Sequence, residues 1–207
     1  MSTAALVLAA GAGRRYGGPK ALVRFDGELL VERAVRTARE AGCAPVAVVI
    51  GAAAEAVRAR ADLGGARLVA NPRWPTGMGS SLRAGLEALA DGDATAVVVL
   101  LVDMPGVTTP AVARLASDPE PLALRVATYG GRRGHPVLLG RAHWPGVVAA
   151  ATGDMGARGY LADRAAEVLA VPCDDIADGH DVDVPADLPD GHDVDVPADL
   201  PDGTGQS

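Results

Sequence analysis

A three-layer α/β/α sandwich with a mostly parallel, Rossmann-like sheet is the α/β fold predicted by three observations. Apolar runs of strand length alternate with amphipathic stretches of helix length. The run over 96–102 is apolar throughout, as a central strand covered on both faces must be. The first run, 3–8, feeds directly into a glycine-rich loop. Such alternation makes βαβ units, whose helices cover a parallel sheet and whose ligands sit at the carboxyl ends of the strands. A chain of this size buries about 70% of its unfolded surface without disulfides or metals, so one domain suffices.

In order along the chain, strands are expected at 3–8, 45–50, 67–69, 96–102, 122–128, 136–139 and 167–171. Helices are expected at 29–41, 53–61, 79–90, 109–116, 141–150 and 157–165. Segment 29–41 puts Leu30, Ala34, Val35, Ala38 and Ala41 on one stripe, with Glu32, Arg33, Arg36, Arg39 and Glu40 largely opposite. Thr109-Pro110 reads as an N-cap followed by proline at the first helical position. Beyond these elements a twelve-residue unit, 178–189, recurs without change as 190–201. It is too rich in Asp and Pro to build a solenoid layer, and it lacks the length and glutamate of an EF-hand calcium loop. The expected organisation is a domain over 1–188 and an acidic tail over 189–207, with the first copy docked and the second disordered.

Composition excludes several functions. The net charge of −7 is misleading, because 174–207 holds eleven aspartates and no Lys or Arg. The remaining body carries 19 basic and 15 acidic residues, a net +4. That suits a small polyanion, but a nucleic-acid surface wants a strongly basic face and stacking aromatics, and aromatics are only 3% of this chain. No apolar run approaches a membrane span, and the start at Met1-Ser2-Thr3 lacks the basic region of a signal peptide. Cys43 and Cys173 match no disulfide or zinc spacing. A soluble, cytoplasmic protein is expected.

Lys20 is the only lysine beside eighteen arginines, and it closes the loop Ala9-Ala10-Gly11-Ala12-Gly13-Arg14-Arg15-Tyr16-Gly17-Gly18-Pro19-Lys20. Glycines let backbone amides approach an anion, and fixed cations hold it. The loop is not a Walker A motif, because Pro19 precedes the lysine and Ala21 follows it. As a dinucleotide fingerprint it keeps Gly11 and Gly13 but has Tyr16 where the third glycine belongs, and Gly17-Gly18-Pro19 would break the helix. These departures disfavour an NAD(P)-dependent oxidoreductase, which stays only as the alternative.

The remaining pattern, L-A-A-G-x-x-x-R-x-G-x-x-K on Leu8, Ala9, Ala10, Gly11, Arg15, Gly17 and Lys20, resembles the signature loop of the MobA-like nucleotidyltransferases. This family includes the molybdenum cofactor guanylyl- and cytidylyltransferases. Five further blocks are similar to the cytidylyltransferase branch: Asn71 to Leu82, Leu101 to Pro105, Gly131 to Val137, Gly153 to Arg158, and Asp181 to Leu188. Val184 departs from the usual Thr, Gly79 from a common Ser, and Tyr16 from a common Met or Phe.

The resemblance implies a nucleotide-diphospho-sugar transferase type of fold and transfer of NMP to a phosphorylated acceptor, with release of pyrophosphate. Ala10 points to CTP over GTP, and the branch points to molybdopterin as acceptor. Lys20 and Arg15 are expected at the triphosphate, beside the backbone of Leu8, Ala9, Ala10, Gly11 and Gly13. Asp103 follows the strand 96–102, where a Mg²⁺ held by one or two carboxylates plus phosphate oxygens would sit. Asp183 is the expected second ligand. Gly77, Ser80 and Ser81 are expected to face the nucleotide, with plain capping of helix 79–90 by Gly79 or Ser80 as the other reading. His135, Asp154 and Arg158 are expected at the acceptor, with a structural hydrogen bond or a helix cap as the other reading. A nucleotide-binding accessory protein without turnover remains a further alternative.

Overall fold

The computed structural model describes residues 2–187 and 194–195. Its strands are β1 (Thr3–Ala9), β2 (Arg24–Phe25), β3 (Glu28–Leu29), β4 (Val46–Ile50), β5 (Arg67–Ala70), β6 (Ala96–Leu101), β7 (Leu124–Tyr129), β8 (Arg132–Gly140), β9 (Val168–Pro172) and β10 (Val194–Asp195). The α-helices are α1 (Leu30–Glu40), α2 (Ala54–Arg60), α3 (Met78–Leu89), α4 (Thr109–Ala116), α5 (Trp144–Ala150) and α6 (Arg158–Asp163). Seven strands form the central sheet in the order β5-β4-β1-β6-β8-β7-β9. The pairs β4–β5, β1–β4, β1–β6 and β7–β9 are parallel, and β8 runs antiparallel to both β6 and β7.

The period-2 alternation of β1 decides the layers. Ala5 and Val7 point into one core, packed on Val31, Val35 and Ala38 of α1, Val57 of α2 and Val112 of α4. Leu6 and Leu8 point into the other, with Leu82 and Leu86 of α3, Val147 of α5 and Leu161 of α6. Val98 and Leu100 of β6 fall in the first core and Val97 and Val99 in the second, which is why that strand is apolar throughout. Both cysteines are buried and free. Among the described residues, no helix is long and apolar enough to cross a membrane.

Three details differ from the sequence prediction. The hairpin β2–β3 was unforeseen because two-residue strands leave no periodic signal. Its Asp26-Gly27 turn, with φ of 53° and 78°, is a strong short-range hairpin cue in itself. Strand β8 is longer than 136–139, because the turn at Gly130-Gly131 folds Arg132 and Arg133 back onto Tyr129 and Thr128. The N-cap of α4 is Thr108, whose Oγ1 accepts from the Ala111 amide at 3.4 Å, while Thr109 Oγ1 donates to Glu40. Of the tail predicted over 189–207, Val194–Asp195 pairs with β2, and the rest lies outside the described residues, as does Leu188.

Candidate active site

Loop 10–19 leaves β1 at its carboxyl end and closes on itself. The Gly13 carbonyl accepts from the amides of Tyr16, Gly17 and Gly18 at 2.9, 3.0 and 3.2 Å. Gly13 has φ +60°, and a Cβ there would collide with the Gly18 carbonyl, so only glycine fits this turn. Among the described residues, no acceptor engages the amides of Gly11 to Arg15, an array of the kind that receives anions. The chain then turns through Lys20–Leu22, anchored by the buried Ala21 and Leu22.

This anchoring aims Lys20 inward. Its Nζ donates to Asp103 Oδ2 at 3.0 Å and to Asp183 Oδ1 at 2.9 Å, with 12% of the side chain exposed. Burial alone would lower the lysine's pKa, but the two carboxylates outweigh it and hold the pKa above its ordinary value. Asp183 is held below the usual carboxylate range, first by its hydrogen bond from Lys20 and then by the charges of Lys20 and Arg15. Arg15 reaches Asp183 Oδ2 at 2.7 Å while 78% of its side chain stays exposed.

The two acids arrive by different routes. Asp103 follows β6 after Val102, in a turn that Arg33 steadies by donating to the Pro105 carbonyl at 3.0 Å. Asp183 rides on a strap that crosses the carboxyl ends of the strands from β9. The strap is pinned by Thr108 Oγ1 to the Ile176 carbonyl (2.8 Å), the Asp178 amide to Gly106 (3.1 Å) and the Val182 amide to Asp103 (2.8 Å). Val182 is 2% exposed and packs with Tyr16, Val23, Phe25 and Leu30. Asp187 Oδ2 accepts from the Asp183 and Val184 amides, both at 2.8 Å. The first copy of the repeat therefore supplies the site with its second carboxylate.

Asp103 and Asp183 converge on one cationic point, now filled by the Lys20 ammonium. These are hard oxygen donors suited to a divalent cation. Among the described residues, no group of three or more His, Cys, Asp or Glu joins into a closed metal cage. A cation here would complete its shell with phosphate oxygens and water.

A cleft of about 940 Å³ opens beside this cluster. Its floor is the bare sheet face of Leu8, Val99, Leu101, Val126 and Val137, in a gap between α3 and α6. Arg15, Asp103 and Asp183 border it, and so do the expected acceptor residues His135, Asp154 and Arg158, whereas Lys20, Ala9, Ala10, Gly11, Gly13 and Gly77 lie outside its lining. Burial, reinforced by Arg158, pushes the His135 pKa down to about 4 against the opposing pull of Asp181, which leaves the imidazole neutral at pH 7. Asp154 Oδ1 accepts from the Met78 amide at 3.3 Å and so caps α3 from a distant loop. The cap residue of α3 is Gly77, not Gly79 or Ser80, and it sits against Gly153 and Asp154.

Ser80 and Ser81 do not line the cleft. Asn71, only 4% exposed, donates from Nδ2 to Ser80 Oγ at 2.8 Å and Ser81 Oγ at 3.0 Å, and accepts from the Arg73 amide at 3.0 Å. Ser80 Oγ lies 2.9 Å from the carbonyls of both Arg73 and Gly77, to which it can donate. The hydroxyls thus build the turn from within. Trp74 of this turn packs against Gly51, which in turn touches the Ala10 carbonyl, so the turn is stacked on the buried Ala9-Ala10 end of the loop. No role for Asn71 follows from the sequence; a lone amide closing an apolar strand was the available signal.

Residues 5–174 match the MobA-like NTP transferase domain. The chain is 41% identical over 186 residues to a protein of Paenarthrobacter nicotinovorans named nicotine blue oxidoreductase, covering 86% of this chain and 90% of that one. It is 36% identical over 104 residues to a probable molybdenum cofactor guanylyltransferase of Opitutus terrae, about half of each chain (50% and 49%). Among solved structures, Rv0371c of Mycobacterium tuberculosis H37Rv superposes with a TM-score of 0.78 at 28% identity, over 90% of this chain and 95% of that one. A manganese complex of Rv0371c superposes with a TM-score of 0.72 at 27% identity, over 91% and 93%. The sheet order, the cationic loop and the sequence match agree: the chain belongs to the MobA-like NTP transferase family, and its fold is that of the nucleotide-diphospho-sugar transferases.

Proposed function

We propose that this protein transfers CMP from CTP to a phosphorylated acceptor, the molybdopterin cofactor, and releases pyrophosphate. The observation that carries this reading is the convergence of Lys20, Arg15, Asp103 and Asp183 at the mouth of a cleft large enough for a second substrate. An acceptor phosphate oxygen attacks the α-phosphorus in line, a new P–O bond forms, and the bond to the β-phosphate bridge breaks. No protein nucleophile is needed, so catalysis rests on positioning and charge neutralisation.

Lys20 faces the α-phosphate and the leaving group, and Arg15, largely exposed, grips the β/γ end. Asp103 and Asp183 would hold Mg²⁺, which supplies charge neutralisation on the phosphoryl oxygens when bound. The manganese bound by Rv0371c supports a divalent ion of this kind. Neutral His135 offers the acceptor a hydrogen bond without a charge, and Arg158 offers it a cation. Ala10 is the ground for preferring CTP to GTP. The test is to follow melting temperature and pyrophosphate release with each NTP, Mg²⁺ and molybdopterin. CTP is expected to stabilise most and to be consumed, and silence with every NTP and several phosphorylated acceptors would end the proposal.

The relative named nicotine blue oxidoreductase favours a second reading, an NAD(P)-dependent oxidoreductase whose substrate lies in the apolar-floored cleft. Fluorescence-detected binding of NADPH without binding of CTP would select it. Tight CTP binding without pyrophosphate release would instead indicate an accessory nucleotide-binding protein.

A further inference from the structure

The loop holds one polar group that the proposed reaction leaves unused. Tyr16 is 4% exposed, and its hydroxyl has no hydrogen-bond partner among the described residues. Its ring packs with Val23, Phe25, Leu30 and Val182, a contact that the Met or Phe usual at this position would make equally well. The hydroxyl therefore costs folding free energy without contributing packing, because a buried unpaired donor bears its full desolvation penalty. Burial raises the phenol's pKa more than the nearby Lys20 charge lowers it, so the group is a protonated donor throughout the physiological range. Its neighbour Val182 directly precedes Asp183, whose two oxygens are taken by Lys20 and Arg15.

We propose that Tyr16 is a positioning residue for Asp183. When triphosphate oxygens take over Arg15 and Lys20, one Asp183 oxygen is left for the cation and the other accepts a hydrogen bond from the Tyr16 hydroxyl, which holds the strap in place at the mouth of the cleft. The free protein then stores an unsatisfied donor that ligand binding satisfies, so the bond appears only in the loaded state. This inference rests on the triphosphate reading above.

The experiment is calorimetric titration of the wild type, Tyr16→Phe and Tyr16→Met with CTP and GTP in the presence of Mg²⁺, together with melting curves of the free proteins. The variants are expected to melt at or above the wild-type temperature. They should bind the preferred triphosphate about tenfold more weakly, the effect of one lost hydrogen bond to a charged acceptor. In an Asp183→Ala background, which leaves Lys20 and Arg15 free for phosphate, the Tyr16 substitutions should no longer change affinity. Unaltered affinity in both variants, or affinity and melting temperature falling together, would assign Tyr16 to packing alone. Persistence of the tenfold loss without Asp183 would move the bond to the ligand and overturn the positioning role. A wild type that binds neither triphosphate removes the proposed function and this inference with it, a result distinct from binding that Tyr16→Phe leaves unchanged.

Discussion

The Lys20 cluster and the Asn71 turn are both polar, both lie at the carboxyl ends of the strands, and both were expected to meet the nucleotide. Their hydrogen bonds separate them. In the Asn71 turn the side-chain amide of Asn71 and the hydroxyl of Ser80 are matched by other groups of the same eleven-residue stretch, so these groups have nothing left to offer a ligand. In the Lys20 cluster full charges face one another across three separate parts of the chain, at a cleft open to solvent. Those pairs are exchangeable, since a phosphate can replace a carboxylate on Lys20 or Arg15 and a cation can replace the ammonium between the carboxylates. A neutral network satisfied within itself fixes shape, whereas a charged network assembled from distant segments can trade partners.

The sharpest way to break this contrast is to substitute one residue from each side. Lys20→Ala is expected to lower pyrophosphate release by about 10²- to 10³-fold, as loss of a preorganised charge does, with a small change in melting temperature. Asn71→Ala should do the reverse. It strips the buried Ser81 hydroxyl of its partner and costs about 1–3 kcal/mol of stability, or roughly 3–10 °C in the melt, before any change in turnover at low temperature. Opposite outcomes for the pair would invert the assignment.

His135 sharpens the comparison from the cleft side. Its pKa is about 4 when folded and about 6.5 when unfolded, so between these values the unfolded chain binds the extra proton. The stabilisation is complete above about pH 6.5 and is lost as the pH falls towards 4, amounting to about 2–3 kcal/mol. Urea titrations at pH 7.5 and 4.5 should show this slope, and His135→Asn should flatten it. The smallest effect concerns the repeat. Deleting 190–207 removes β10 but leaves the contacts described above for 178–187, so the melting temperature should move by about 2 °C or less, and cation dependence should persist.

Much of the fold was legible because apolar periodicity reports which faces are covered. Each of the seven strands of the large sheet and each of the six α-helices falls on a predicted segment. The two-residue hairpin at 24–29 escaped because pairing, not burial pattern, defines it. At the site, Lys20, Arg15 and Asp103 could be read from loop composition and from a carboxylate placed just after a buried strand. The capping role of Asp154 could not, since 76 residues separate it from the amide it receives. Neither could the partnership of Asn71 with Ser80 and Ser81, because a motif does not say whether its hydroxyls face inwards or outwards.

By itself the sequence determined the layered α/β architecture, the glycine-rich and cationic character of the first loop, and the family. Local residue choice suffices for these, since periodicity, glycine and charge act within a few residues of one another. Spacing from β9 favoured the first of the two identical twelve-residue copies, but only the tertiary structure decided which contacts hold it over Lys20. That choice depends on Val182 finding a pocket beside Tyr16 and on the Asp178 and Val182 amides finding carbonyls at Gly106 and Asp103. Both copies carry the same side chains, so only the length of chain from β9 distinguishes them, and a distance through space is not written in any residue.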